Sequence, residues 1–156
     1  MKIKSQENDI KFMRQALLRA KKAYAIKEVP VGAVIVKAGK VIASGYNQKE
    51  KKNVSTRHAE MIAIERASKV LDNWRLIDTT LYVNVEPCIM CAGAIVHARI
   101  KRVVYGCADV KFGACESLYS INDDTRLNHN FTVTSGVLEE ESVELMQSFF
   151  KKLRLR

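Results

Sequence analysis

The chain has 156 residues, a length for one domain over residues 1–156, and such a chain buries ~68–70% of its unfolded surface. Apolar residues make up 47% and charged residues 28%, with seven Gly and two Pro, which excludes a disordered, collagen-like or low-complexity chain. Lys and Arg number 26 against 17 Asp and Glu, and the resulting charge of +9 suits a polyanionic partner, nucleic acid first, or serves solubility alone. The start, Met1-Lys2-Ile3-Lys4-Ser5-Gln6, has no apolar h-region and predicts no secretory signal. Asn8 or Asp9 is placed to cap a first helix. Ile10, Met13, Leu17, Ala20 and Tyr24 follow at helical spacing, and Val29-Pro30 ends it. Val31–Val36 and Val41–Tyr46 read as strands, with Ala38-Gly39 as the hairpin turn. Residues 47–57 are a polar, basic loop. Ser55 or Thr56 then caps a helix with Met61, Ile64, Ala67 and Leu71 facing inward, ended by Asp72-Asn73. Leu81, Val83 and Val85 alternate along a strand stopped by Glu86-Pro87, and Pro87 suits the entry to a helix over Cys88–Arg99. Arg102–Gly106 is a further strand, residues 107–130 show no regular pattern, and Thr132–Ser135 is a short strand. The last helix begins near Glu139, where three Glu suit its positive end, with Val143, Met146, Phe150 and Leu153 as its inner stripe.

Strands alternating with helices predict an α/β layered domain with a partly parallel sheet, made mixed by the opening hairpin. No apolar run approaches the ~18–20 residues of a membrane span. The longest charge-free stretch near the middle, Pro87–Ala98, holds a His, two Cys and a Gly. The expectation is a cytoplasmic protein with no membrane partner. There thiols stay reduced, and clustered Cys are more often metal ligands or catalytic groups than disulfides.

Two short motifs carry the chemistry. His58-Ala59-Glu60 lies at one helix start and Pro87-Cys88-Ile89-Met90-Cys91 at another. Cys88 and Cys91, three apart, share a helix face, and a helix N-terminus favours thiolate. With His58 they make an S, S, N set suited to Zn²⁺, one ion per chain. Three protein ligands leave a fourth position for water, whose pKa zinc lowers to ~7. Glu60, two residues from His58, stands about 200° away on a helix. It is therefore poorly placed as a ligand and is the candidate proton carrier.

Other readings are open at this point. A redox CxxC leaves the H-x-E pair unexplained. A closed structural zinc would need Cys107 or Cys115, whose spacing lacks the second x₂ pair of a zinc ribbon; a buried thiol and a loop thiol suit them better. A zinc-stapled nucleic-acid-binding module without catalysis does not account for Glu60. His97 reads as a helix-face residue and His129 as a loop residue. Trp74 and the Phe149-Phe150 pair read as core more readily than as base-stacking platforms.

The residues Thr56-Arg57-His58-Ala59-Glu60 and Leu81-Tyr82-Val83-Asn84-Val85-Glu86-Pro87-Cys88-Ile89-Met90-Cys91-Ala92-Gly93-Ala94 match the H-x-E…P-C-x-x-C signature of zinc deaminases. With Glu28-Val29-Pro30-Val31-Gly32-Ala33, Asn47, Asn73-Trp74-Arg75-Leu76, Asp109-Val110-Lys111, Asn128-His129 and Phe149-Phe150-Lys151, the chain resembles the bacterial tRNA-specific adenosine deaminases from about Asp9 to Arg154. The resemblance implies a cytidine deaminase-like three-layer α/β/α sandwich with a five-stranded mixed sheet. It implies a homodimer that converts adenosine to inosine at the wobble position of a tRNA anticodon loop and releases ammonia. By position, His58, Cys88 and Cys91 hold zinc, Glu60 moves protons and Asn47 contacts the flipped base. Asp109 and Lys111 border the RNA, and Phe150 and Arg154 belong to its binding surface. A deaminase of a free base or nucleotide is the alternative; the basic charge and flanking segments weigh against it. Lys151, Lys152, Arg154 and Arg156 crowd the C-terminus, as phosphate contacts or as a solvated helix end. Arg57, Phe112, Glu116 and Tyr119 depart from the usual family pattern. They leave the metal set alone and bear on RNA contact.

Overall fold

The fold is taken from a computed structural model, in which residues 2–155 are described. Arg156, the last of the four expected C-terminal cations, lies outside the described residues. The chain forms α1 (Lys2–Ala25), β1 (Gly32–Lys37), β2 (Lys40–Tyr46), a short α2 (Lys49–Lys52), α3 (Ala59–Leu71), β3 (Thr79–Val85), α4 (Ile89–Ala98), β4 (Arg102–Cys107), β5 (Thr132–Thr134) and α5 (Glu139–Arg154). The strands make one sheet in the order β2-β1-β3-β4-β5. β1 is antiparallel to β2 and β3, whereas β3, β4 and β5 run parallel. The hairpin turn is Ala38-Gly39, both with positive φ, as a two-residue turn between twisted strands requires.

The sheet is covered on both faces, giving the expected α/β/α layers. One core packs Ala59, Ala63 and Ala67 of α3 and Ile95 of α4 against Ile35, Leu81, Val83 and Val103. The other packs Phe12, Met13, Ala16 and Leu17 of α1, with Leu145 of α5, against Val34, Tyr82 and Val104. β3 and β4 feed both cores, so their side chains are buried on both faces, as central parallel strands demand.

Three helix expectations are corrected. α1 extends back to Lys2, so neither Asn8 nor Asp9 is its cap. Asp9 is buried, accepting two bonds from the Arg102 guanidinium at 2.9 and 2.7 Å and one from the Tyr82 hydroxyl at 2.8 Å. Ile10, placed on the inner stripe, is exposed. On α3 the cap position falls to His58, and the small residues Ala59, Ala63 and Ala67 are buried along with Ile62. The cause is Gly45 of β2, where a Cβ would sit 2.5 Å from the Ala59 carbonyl. The helix backbone at Ala59 and Ala63 lies so close to the strand that this face is turned inward, and Met61, Ile64 and Leu71 are only half-buried at the flanks. On α5 the inner face is Ser142, Leu145 and Phe149. Phe150 and Leu153 are 38% and 48% exposed. Here Gly106 of β4 leaves room for the Ser142 side chain, which sets the rotation of the helix.

α1 and α5 run in the same direction, joined by Arg14–Glu141 and Tyr24–Ser148 contacts. α1 leads by a short turn into β1, whose first residues pair with the end of β3. The C-termini of both helices therefore point to the end of the sheet where β3 and β4 finish.

Candidate metal and active site

At that same end, two helices begin. Each starts directly from a residue with extended backbone, His58 before α3 and Cys88 before α4. These N-cap residues and Cys91, in the first turn of α4, bring one imidazole and two thiols together. Their ligand atoms lie within 4.8 Å of one another, and His58 Nδ1 is 3.6 Å from each Sγ. Cys91 is buried and the other two are half-buried.

The proton distribution suits a metal. The Cys88 thiol is pushed down to about 4, first by the hydrogen bond from Cys91, then by His58, against the opposing effect of burial. Cys91, the donor in that pair, is pushed up. His58 is raised, first by its hydrogen bond to Cys88. A thiolate, a shared proton and an imidazole in one cluster are the donor set of a dication such as Zn²⁺, which displaces thiol protons on binding.

Glu60 is 3% exposed at the first turn of α3. Burial pushes its carboxyl up to about 7, and the Cys91 thiol is among its hydrogen-bond partners. His58 precedes the helix, so the angle between the two residues is set by the cap geometry and not by a 200° helical step. Glu60 still ends beside the cluster and outside the three-residue set. Asn47, following β2, accepts the Ala59 N–H on Oδ1 at 2.9 Å. It thereby caps α3 from another segment and leaves its Nδ2 without a partner among the described residues.

Glu86 is the residue that sequence reasoning passed over. In sequence it only ends the strand over 81–85, yet it is buried and accepts five hydrogen bonds. Oε1 receives Asp109 N at 3.1 Å and Ser117 Oγ at 2.5 Å. Oε2 receives the N–H groups of Cys115, Glu116 and Ser117 at 3.1, 2.9 and 3.0 Å. Burial alone would raise its carboxyl, but the bonds from Ser117, Glu116 and Asp109 outweigh it and hold the group low. Segment 109–117 is thus wrapped around one carboxylate. The fit needs Gly113, since any Cβ there would overlap that carboxylate. Gly113 also pairs in an antiparallel bridge with Cys88, and Ala114 N donates to Pro87 O at 2.9 Å. The only sequence signal was an acidic residue continuing an apolar strand.

Other candidates are scattered. Asp109 turns inward on its own loop, its Oδ1 accepting Lys111 and Phe112 N–H at 3.1 and 3.2 Å. Lys111 is exposed. Phe150 and Arg154 lie exposed on α5, away from the ligand cluster in sequence but on the helix that points to this end. Cys107, the last residue of β4, is buried as expected, and Cys115 is a loop thiol as expected, buried as well. Burial pushes their thiols up to about 11 and about 12, and neither joins the cluster. His97 is an exposed helix residue, and the His129 ring meets Ile100 O at 2.6 Å in its loop. Trp74 is not core: it is 54% exposed, with the Arg75 and Arg99 guanidinium groups at 4.3 and 5.9 Å from its ring. Arg57 pairs with Glu65 at 3.1 Å, and Glu116 accepts the Tyr105 hydroxyl. Phe112 and Tyr119 are exposed.

Comparison with known proteins agrees with this geometry. Residues 7–154 match the model of the MafB19-like deaminase family. A tRNA-specific adenosine deaminase of Streptococcus pyogenes serotype M18 is 47% identical over 152 residues, covering 97% of this chain and 96% of the relative. Its counterpart in Haemophilus influenzae is 49% identical over 149 residues, covering 95% and 86%. Among solved structures, a tRNA:A34 deaminase studied for A-to-I editing at the wobble position of transfer RNA superposes with a TM-score of 0.83. It is 44% identical, with 86% of this chain and 97% of that one covered.

Proposed function

The chain belongs to the deaminase family that includes the tRNA-specific adenosine deaminases, and from that membership we propose that it hydrolyses adenosine to inosine at the wobble position of a tRNA anticodon, releasing ammonia. The observation that carries the reading is a buried carboxyl, Glu60, set against a His58/Cys88/Cys91 cluster in so close a relative of those enzymes. His58, Cys88 and Cys91 would hold one zinc ion, which when bound supplies the Lewis acidity that makes water a nucleophile near neutral pH. Held to zinc as a thiolate, Cys91 would no longer donate to Glu60, whose carboxylate would be free to accept a proton. Glu60 then takes the proton of the water that attacks C6, passes it to the ring nitrogen N1, and serves again when the leaving amine is protonated. Transfers of this kind contribute ~10²–10⁴-fold. Asn47, whose Nδ2 has no partner among the described residues, would donate to the base. An anticodon loop offers a base already unpaired, which lowers the cost of taking it out of the stack. The chain acts as a homodimer on a tRNA anticodon loop, a reading supported by the family resemblance and the +9 charge.

Ammonia and inosine formation from an anticodon stem-loop, compared with free adenosine, cytidine and guanine, tests the reading. Turnover of the stem-loop, with the free compounds inert, is expected. Turnover confined to a free base or nucleoside would overturn it.

A further inference from the structure

The loop around Glu86 is built with more hydrogen bonding than a passive connection needs, and it displays an aromatic ring. Five hydrogen bonds to one buried carboxylate, two more to Asp109 Oδ1 and the Gly113–Cys88 bridge fix the backbone of residues 109–117 against a ligand of the metal cluster. Phe112 is the neighbour of Gly113, about 3.8 Å away along the chain. Its ring is nonetheless 65% exposed. Val110, Leu118 and Tyr119 along the same stretch are exposed as well, and several exposed apolar side chains on one ordered segment mark an interaction surface. The surroundings name the partner's chemistry. Lys111 adjoins it, and Lys49, Lys51 and Lys52 of α2, just after Asn47, are exposed cations. An aromatic face beside cations is the arrangement that stacks a nucleobase and tracks its phosphates.

Resting on the proposed tRNA reading, we infer that Phe112 is the stacking platform for a base next to the reacting adenosine, and that Glu86 is the positioning residue that holds its loop in place. A flat platform one nucleotide from the flipped base occupies the space that base vacates and sets which neighbour is preferred. Every base has a π-face, so the preference is one of stacking strength, with purines favoured over pyrimidines.

The experiment is a cycle on the full zinc-loaded protein. Wild type, Phe112→Ala and Phe112→Tyr are assayed on an anticodon stem-loop and on two others carrying an abasic residue at the 5′ or the 3′ neighbour of the target. Phe112→Ala is expected to raise KM for the intact stem-loop by about five- to a hundredfold with kcat little changed, and Phe112→Tyr to stay within about twofold. One abasic substitution should raise KM for wild type to a similar extent and have no further effect in Phe112→Ala. That loss of coupling is a readout a merely structural role would not move. Full retention of the abasic penalty in Phe112→Ala, or an unchanged KM, overturns the inference. So does a change from dimer to monomer in Phe112→Ala by light scattering, which would assign the ring to contact between copies. If wild type fails on the intact stem-loop, the tRNA reading fails first; if wild type edits it and the cycle shows no coupling, only this inference fails.

Discussion

Glu86→Gln isolates the carboxylate that organises segment 109–117, because it changes one oxygen to an amide at nearly constant volume. The amide keeps one acceptor. Its best placement keeps that oxygen at Oε2, facing the N–H groups of Cys115, Glu116 and Ser117. The new NH₂ then faces Asp109 N, a donor against a donor, while Ser117 Oγ can rotate to accept. The unsatisfied donor costs about 1–3 kcal/mol, and the three retained bonds lose their charge assistance, about 1 kcal/mol each. Relaxation of the loop recovers part of this, which leaves roughly 3 kcal/mol less resistance to local opening. That corresponds to about a hundredfold faster amide exchange at Cys115, Glu116 and Ser117. Native-state hydrogen exchange of the zinc-loaded protein measures it, with Glu65→Gln as control, since Glu65 is exposed and, among the described residues, pairs with Arg57 and Lys69 at the surface. Exchange at the three amides within about twofold of wild type would show that the carboxylate does not hold the loop.

Three further expectations concern the site and its approach. Cys88→Ala and Cys91→Ala should each lose the one zinc per chain measured by elemental analysis; a folded Cys88→Ala protein with stoichiometric zinc would remove that residue from the ligand set. Glu60→Gln should retain zinc and RNA affinity yet lose at least ~10²-fold in kcat, whereas zinc falling in step with activity would make Glu60 a ligand. Reversal of Lys151, Lys152 and Arg154 to Glu should lower the magnitude of the log K against log salt slope by about 1.4 if two of them meet phosphates, at about 0.7 per contact. An unchanged slope would return this end of α5 to a solvated helix terminus. Leu153 is exposed, so this variant leaves the core alone.

The His58/Cys88/Cys91 cluster was legible because its determinants are local: a cap residue and a CxxC spacing at helix starts, with two adjacent helices bringing them together. The strands were legible for a similar reason, since the alternation along 81–85 and the Ala38-Gly39 turn need no distant partner. What stayed hidden depends on residues far away in sequence. Asp9 has the side chain of a cap, but Arg102 and Tyr82 claim it. The rotations of α3 and α5 are dictated by Gly45 and Gly106, absences of side chain on strands that no helical period can register. An indole by its type suits a core, but at Trp74 two guanidinium groups supply a surface alternative. Segment 107–130 lacks a period because its order comes from one carboxylate and a 3₁₀ turn at Ile121–Asp123.

Three buried acids show how their surroundings divide the work. Asp9 is matched by a guanidinium and a hydroxyl, so its charge is compensated and its lone pairs are engaged; it fastens α1 to β4. Glu86 is matched by N–H groups and one hydroxyl, which hold it as an anion and leave it no capacity to carry a proton to a substrate. Glu60 has neither a cationic side chain bonded to it nor a ring of amides, and burial raises its affinity for a proton. A group that must accept and return a proton near neutral pH cannot be held by strong donors, because each such bond favours the charged form alone. Of these three acids, Glu60 is therefore the one whose surroundings suit the proposed proton transfer. It stands where α3 starts, and that helix start is tied down by Asn47 and pressed against Gly45 of the sheet.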